Sequence, residues 1–352
     1  MALTIRDVAR EARVSTATVS HVLNKTGQVS QGTRHHVLAV VRRLGYFRNA
    51  YARNLASRNS RTLGMIVSDI ENPFFPEVIK SFETRARQLG YEAILSDTNY
   101  DPSLMRRATE KMLEHHVRGV AVMTSEANQQ LIDEIAGRRI ALTFLDLGPV
   151  QRYVSNIRID YFSGIQQVVQ HLFQLGHRQM IFVGDRPRLK SNIARREAFI
   201  ECMEALALEP GPTLQGDLRF EGGVAAALRI LELKPRPTAV VAVNDLTAVG
   251  LIKGFTQAAL RVPEDISVTG FDKIRLADYI TPSITTVDIH RDWLGRMAAE
   301  ALHELATAEE PRGKEYMIPA ELVVKASTGP VASQVSRETN LAPVTASLRM
   351  SA

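Results

Sequence analysis

Apolar residues in the first twenty-four positions recur at helical spacing in two short runs. Ile5, Val8, Ala9 and Ala12 share one face of a first helix, with Thr4 placed to cap it and Asp7 in its first turn, where the helix dipole favours an acid. Arg13 and Val14 form the break. Ser15 is a good N-cap for a second helix, on which Val19, Val22 and Leu23 make an apolar stripe while Thr16, Ala17, Ser20 and His21 point elsewhere. A third helix is predicted over 33–44, with Ser30 near its start, Val37, Leu38, Val41 and Leu44 on one face, and Gly45 ending it. The segment 46–57 holds helix formers but too few apolar positions to be stable alone, so it reads as a conditional helix or as a basic linker.

From Thr62 the period changes. Short β-rich runs at 63–68, 91–97, 119–124, 140–146 and 155–160 alternate with amphipathic helical patterns, and a second series follows at 179–185, 214–217, 239–244 and 267–272. Strands separated by helices imply right-handed crossovers and parallel sheets covered on both faces. The chain length fits two such sheets, and the expected break between lobes falls at 160–162, before a helix over 163–176.

Charge sharpens this picture. Residues 1–61 carry eleven Lys and Arg against only Asp7 and Glu11, while the remaining residues carry 32 basic against 36 acidic side chains, so the whole net charge of +5 belongs to the helical segment. A helix that buries Val19 and Leu23 and offers short polar groups outward can lie in a major groove about 12 Å wide. The pattern alone also fits an ordinary helical hairpin with a solvated face; the local excess of cations favours a phosphate-binding arm.

Composition excludes several classes. With 352 residues and 45% hydrophobic content the chain can bury a sizeable core. It has no apolar run near ~18 residues and no charged-then-apolar leader, so it is expected to stay in the cytoplasm, with no membrane partner. Cys202 is the sole cysteine, which excludes an internal disulfide and a cysteine-rich metal site; a packing role is expected. His35-His36 and His115-His116 are adjacent pairs that diverge on a helix, so no metal and no cofactor is expected. Phosphate-loop, dinucleotide, nucleophile-elbow and zinc-helix signatures are missing, and nothing supplies a nucleophile with its base. Asp146, Asp185, Asn244 with Asp245, and Asp272 each close a predicted strand; such residues are helix caps or, in open parallel sheets, walls of one ligand cleft. Asn72-Pro73-Phe74-Phe75-Pro76 follows the first strand and sets two rings at a helix start.

Taken in order, residues 4–23, Val29-Ser30, Thr33-Arg34, Gly45-Tyr46, Asn49 and Ala52-Arg53-x-Leu55 resemble the headpiece and hinge of the lac/galactose repressor (LacI/GalR) family of bacterial transcription regulators. The resemblance continues through Gly64, Asn72-Pro73-Phe74-Phe75, Asp160, Leu175-Gly176-His177-Arg178, 196–199, Asn244-Asp245 and Gly270-Phe271-Asp272, and covers about 3–329. It implies an α/β chain with a three-helix helix-turn-helix headpiece over 1–46, a hinge over 47–61 and a two-lobed, periplasmic-binding-protein-like core of parallel sheets over 62–329. The N-lobe would hold about 62–160 and 288–318, the C-lobe about 161–287 and 319–329, and 330–352 would be a disordered tail without a tetramer-forming heptad pattern.

The resemblance further implies a homodimeric repressor on a near-palindromic double-stranded operator, switched by a small-molecule effector through coupling of about 1 to 3 kcal/mol. Thr4, Ser15, Thr18, Ser20 and Asn24 join Thr16, Ala17 and His21 as DNA contacts, the last three on base edges. Asn49, Arg53 and Leu55 contribute from the hinge, Leu55 as a wedge between central base pairs. Two departures stand out: Arg13 replaces a usual turn glycine, and Arg48 a usual hinge proline. The effector residues implied are Phe74, Phe75, Asp146, Lys190 and Asn192, with Arg196, Leu218, Asn244 and Asp272. Arg196, Asn244 and Asp272 form a polar trio suited to hydroxyl groups, so a sugar or sugar derivative is the first expectation. A purine is the second, because Lys190 and Leu218 stand where the family's purine repressor has an arginine and a stacking phenylalanine. The competing classes, a solute-binding protein and a sugar-modifying enzyme, lack respectively an export signal and a catalytic constellation here.

Overall fold

The computed structural model describes residues 3–24, 26–46, 60–124, 129–146, 148, 150–185 and 189–331, without the side chains of 129–131 and 185. Most of the expected hinge, with Asn49, Arg53 and Leu55, and all but the first two residues of the expected tail lie outside these residues. The chain divides into two compact units, residues 1–60 and 61–352.

In the first unit, helices α1 (Ile5–Glu11), α2 (Thr16–Asn24) and α3 (Gln31–Leu44) enclose a core of Val8, Ala9, Ala12, Val19, Val22, Val37 and Val40. Local chemistry sets each boundary. The Asp7 carboxylate accepts the Thr4 N–H (3.0 Å) and hydroxyl (2.7 Å), Ser15 Oγ accepts the Thr18 N–H (3.0 Å), and Ser30 Oγ accepts the Thr33 N–H (3.2 Å). Two helices end in the same left-handed turn. After α3, Gly45 sits at φ 61° with its N–H on Arg42 O and the Tyr46 N–H on Val41 O. After α1, Arg13 sits at φ 51° with its N–H on Arg10 O and the Val14 N–H on Ala9 O. The exposed Arg13 thus carries a Cβ where the turn favours glycine. Arg13→Gly should therefore stabilise this unit by about 1 kcal/mol, slowing amide exchange in α1 and α2 roughly fivefold in the full chain; unchanged or faster exchange would contradict a strained turn.

The second unit holds two parallel sheets. The larger uses β1 (Thr62–Val67), β2 (Glu92–Asp97), β3 (Gly119–Met123), β4 (Ala141–Leu145), β5 (Val154–Ile159) and, from much later in the chain, β11 (Glu315–Ile318), in the order β11-β5-β4-β3-β1-β2. The smaller has β6 (Met180–Asp185), β7 (Leu214–Gln215), β8 (Ala239–Ala242) and β9 (Ser267–Thr269), ordered β7-β6-β8-β9. An antiparallel ribbon of β10 (Thr286–Asp288) and β12 (Glu321–Val323) completes the unit. The long apolar runs in β1, β3 and β8 are buried on both faces because helices cover both sides. On β1, Leu63, Met65 and Val67 join the core beneath α4 (Phe74–Gln88) and α11 (Arg291–Thr307), whereas Ile66 packs with Met105 and Met112 of α5 (Pro102–Glu114). Gly295 lets α11 lie close on α4, since a Cβ there would come within 2.1 Å of Val78 O.

Helix α6 (Gln129–Gly137) belongs to the larger sheet's layer, and α7 (Tyr161–Gln174), α8 (Lys190–Ala205), α9 (Phe220–Glu232) and α10 (Asp245–Gln257) surround the smaller sheet. The strand order makes the chain pass between the sheets three times: after β5, between β10 and α11, and between β11 and β12. Cys202 packs into the core of α8. No helix among the described residues is long and apolar enough to cross a membrane.

Candidate functional site

In both sheets the carboxyl ends of the strands face a common cleft of about 610 Å³ of empty space. Ser68 and Asn72 follow β1, Thr124 follows β3, Asp146 follows β4 and Tyr161 follows β5; from the smaller sheet come Asn192, Leu218, Asn244 and Asp272 after β6, β7, β8 and β9. Phe74 and Phe75, at the start of α4, meet edge to face with centroids 4.9 Å apart and form an aromatic wall. The observed strands β4, β8 and β9 stop one to three residues before these polar positions, so the expected strands 140–146, 239–244 and 267–272 run past them.

The cleft backbone is held in costly conformations. Asp146 (φ 59°), Leu218 (φ 69°) and Asp272 (φ 98°) are all left-handed without being glycine, a cost of order 1–3 kcal/mol each that surrounding bonds must hold. For Asp146, the carboxylate accepts the Ile159 N–H (3.2 Å) and the Tyr161 hydroxyl (2.7 Å). Asn244 is both cap and wall: its Oδ1 accepts the Thr247 N–H (2.9 Å) and its Nδ2 donates to Leu218 O (3.0 Å), tying β8 to the turn after β7. Asn192 donates to Gly184 O (3.0 Å). Asp272 is anchored through its own N–H on Val287 O (3.0 Å) and by buried Asp245. Asp245 accepts the Ile274 N–H (2.7 Å) and the Thr286 hydroxyl (2.5 Å), gripping the turn from both ends. Burial, reinforced by Asp272, raises the Asp245 carboxyl well above the usual range.

Two expected wall residues, Arg196 and Lys190, stand outside the cleft lining. Arg195, not Arg196, enters the cleft: its guanidinium lies against the adjoining rings of Tyr161 (4.7 Å) and Phe271 (4.4 Å), donates to Val243 O (2.6 Å), and stands 3.6 Å from Asp272. The reason is helical phase. In α8 the buried stripe is Asn192, Arg195, Ala198, Phe199, Cys202 and Met203, spaced three and four apart, and Arg196 falls one step off it. Arg196 is 27% exposed and lies 3.9 Å from Glu197. Lys190 is exposed at the first position of α8 and also stands outside the lining. Phe74, Phe75, Asp146, Asn192, Leu218, Asn244 and Asp272 are brought together; the sequence reading missed several other lining residues, Ser68, Tyr100, Thr124, Tyr161 and Arg195 among them.

The Arg195–Asp272 pair is unfinished. At 3.6 Å it is an ion pair but not a hydrogen bond, and among the described residues neither Asp272 Oδ1 nor Arg195 Nε has a hydrogen-bond partner although both are buried. Leaving such atoms unsatisfied costs about 1–3 kcal/mol each, and the pair holds one acceptor and one donor without a partner among the described residues. Burial pushes Asp272 up to about 6, against the opposing pull of Arg195 and Arg291. Since the folded value lies above the unfolded one of 3.8, this group stabilises the ligand-free fold below about pH 4, and that contribution is lost as pH rises through about 6. The carboxylate accepts from a ligand hydroxyl more strongly than the neutral acid does, so ligand affinity should rise between pH 5 and pH 7, by up to about tenfold, as calorimetry across that range would show. A flat profile would remove Asp272 from direct contact.

The first unit offers a second surface. Thr16, Ser20 and Asn24 form one row on α2 and Ala17 and His21 the next; all are exposed except Ser20, which is half-buried, and Thr18 is half-buried against its cap. The row is held in place by Asn24 Nδ2 donating to Ser20 Oγ (3.1 Å), by Thr18 Oγ1 meeting Ser15 Oγ (2.9 Å), and by His21 Nδ1 near Thr26 Oγ1 (3.3 Å). Thr4 and Ser15 are exposed at the starts of α1 and α2. No group of three or more His, Cys, Asp or Glu among the described residues could hold a metal ion.

Known proteins resemble both units of the chain. A model described as bacterial regulatory proteins, lacI family, matches residues 4–49, and one described as a periplasmic binding protein-like domain matches residues 169–328. The chain is 35% identical over 327 residues to the HTH-type transcriptional repressor PurR of Photobacterium profundum, spanning 92% of this chain and 98% of that protein. It is 34% identical over 331 residues to PurR of Haemophilus influenzae, spanning 92% and 98%. Among solved structures, the lac repressor dimer bound to operator and the anti-inducer ONPF aligns with a TM-score of 0.83 at 26% identity, over 94% of this chain and 100% of that one. The transcriptional regulator CelR in complex with cellobiose aligns with a TM-score of 0.70 at 25% identity, over 92% and 99%.

Proposed function

The chain belongs to the lacI family of bacterial regulatory proteins and is a helix-turn-helix transcriptional repressor rather than an enzyme, and from that premise we propose that it binds a near-palindromic operator as a homodimer and is switched by a small molecule in the cleft between its two sheets. The observation that carries the DNA half is the exposed face of α2 in a segment where eleven cations meet two acids. Thr16, Ala17 and His21 would read base edges, while Thr4, Ser15, Thr18, Ser20 and Asn24 position the helix on phosphates. Two copies of this helix, set one helical turn of DNA apart, would read the two half-sites.

For the effector, the unfinished Arg195–Asp272 pair, together with Asp146, Asn192 and Asn244, supports a polyhydroxylated ligand: one hydroxyl donates to Asp272 Oδ1 and accepts from Arg195 Nε, and a Phe ring covers the sugar face. A sugar or sugar derivative is therefore the first reading. A purine is the second, because its ring amide edge also donates and accepts, and the relatives named PurR favour it. A ligand with different affinities for the two lobe arrangements biases them, and coupling of about 1–3 kcal/mol to the DNA-bound state suffices for a switch.

Two measurements test this. Binding to duplex DNA should weaken steeply with salt, the logarithm of affinity falling by about 0.9 per neutralised phosphate for each logarithm of salt; salt-independent binding would contradict a phosphate-tracking headpiece. A thermal-shift panel of sugars, polyols and purines should contain a ligand that stabilises the full chain, by roughly 2.7 kcal/mol at 100-fold excess over its Kd. A response confined to purines would replace the sugar reading.

A further inference from the structure

The cleft adjoins a second cavity of about 540 Å³, with which it shares Asn72, Tyr100 and Leu218. The walls of this outer chamber come from both lobes: Asp69 and Glu71 from the turn after β1, and Asp217, Arg219, Phe220 and Glu221 from the turn after β7 and the start of α9. It continues from the inner cleft through these shared walls, so one sugar ring or one purine base held by the Arg195–Asp272 pair would leave the outer chamber open to a further group. Leu218, Tyr100 and Phe220 give the outer chamber apolar faces against which a second ring can pack.

Its charge is one-sided. Four carboxylates meet a single guanidinium, and Arg219 is already committed across the lobes: its Nη2 lies 2.8 Å from Asp69 Oδ2, and the Asp69 carboxylate raises its pKa. Asp69 is buried, so releasing Arg219 to another anion would leave a buried carboxylate unpaired. Asp217 Oδ1 is likewise occupied, accepting the Arg219 and Gly222 N–H groups, whereas Glu71 and Glu221 are exposed at the rim. A phosphate entering this chamber would lose its hydration and meet a surplus of negative charge.

We propose that the effector joins two ring units, a fused purine base counting as one: its first unit sits on the Arg195–Asp272 pair, and its second, uncharged or cationic, fills the outer chamber, from which a phosphate-bearing group is excluded. Disaccharides and nucleosides meet this description; sugar phosphates and nucleotides do not. The inference rests on the cleft being the effector site, but it does not depend on whether the first ring is a sugar or a base.

The test is calorimetry on the full chain with two matched series: glucose, cellobiose and glucose 6-phosphate; hypoxanthine, inosine and inosine 5′-monophosphate. In the series that binds, the two-ring neutral member should bind at least tenfold more tightly than the one-ring member, and the phosphorylated member at least tenfold more weakly than the neutral compound it derives from. A Glu71→Gln, Glu221→Gln double variant, which removes two of the four carboxylates, should narrow the gap between the phosphorylated member and the neutral compound it derives from by at least threefold. Binding in the purine series alone, with this ranking, would sustain the two-ring inference while displacing the sugar reading. A phosphorylated member that binds as tightly as the neutral one, or a second ring that adds nothing, would overturn the inference and leave the cleft assignment intact. No binding in either series would overturn both.

Discussion

Arg195→Lys is expected to weaken effector binding between tenfold and a hundredfold, while Arg196→Ala leaves it within about twofold. Lysine keeps a positive charge beside Asp272, so the buried carboxylate is not stranded and the lobe should still fold. It cannot reproduce the planar group that lies against Tyr161 and Phe271, nor hold the bond to Val243 O while keeping a second donor of fixed direction in Nε. Losing a hydrogen bond from a charged donor costs about 1.5–3 kcal/mol, which sets the expected range. Arg196, one residue on, stands off the lining and is partly exposed, so its removal changes little in the cleft. Titration of both variants with a ligand found by the thermal-shift panel decides between the neighbours; equal losses would return Arg196 to the site.

That pair shows where the sequence was legible and where it was not. Helix boundaries in the first unit rest on contacts three or four residues apart, so Thr4, Ser15, Ser30 and Gly45 announce them directly, although α3 begins at Gln31, two residues before its expected start. The strands buried on both faces announce themselves by uninterrupted apolar runs, as in β1 and β8. Three strands, β10, β11 and β12, escaped notice because each has only three or four residues and exists through pairing with a distant segment; β11 is an edge with Met317 half exposed. In the cleft, residue type was visible but direction was not. The turns at Asp146, Leu218 and Asp272 are left-handed without a glycine to mark them, and α8 buries Asn192 and Arg195 on its core stripe, which blurs the apolar period that would have separated Arg195 from Arg196. Such local conflicts between propensity and structure are expected where a site is built.

The division into two compact units carries the second large expectation. Val19 is fully buried in the core that joins α1, α2 and α3, a core of small side chains in a segment of some forty residues, where stability is marginal. Val19→Asp would place a carboxylate among Val8, Val22 and Val37 with no cation inside that core to pair with it, a change that exceeds about 4 kcal/mol and therefore the margin of so small a unit. The first unit should lose its amide protection, and binding to a duplex selected from a random pool should fall at least a hundredfold, leaving only the weak, salt-sensitive attraction of an unfolded basic segment. The second unit owns its own core clusters, so its melting and its ligand-induced shift should stay unchanged. Hydrogen exchange resolved by segment, with thermal melts in the presence and absence of ligand, reads both outcomes on one sample. If the second unit melted earlier in step with the first, the two would form one cooperative body, and a change in the headpiece would then reach the cleft through shared stability rather than through the arrangement of the lobes.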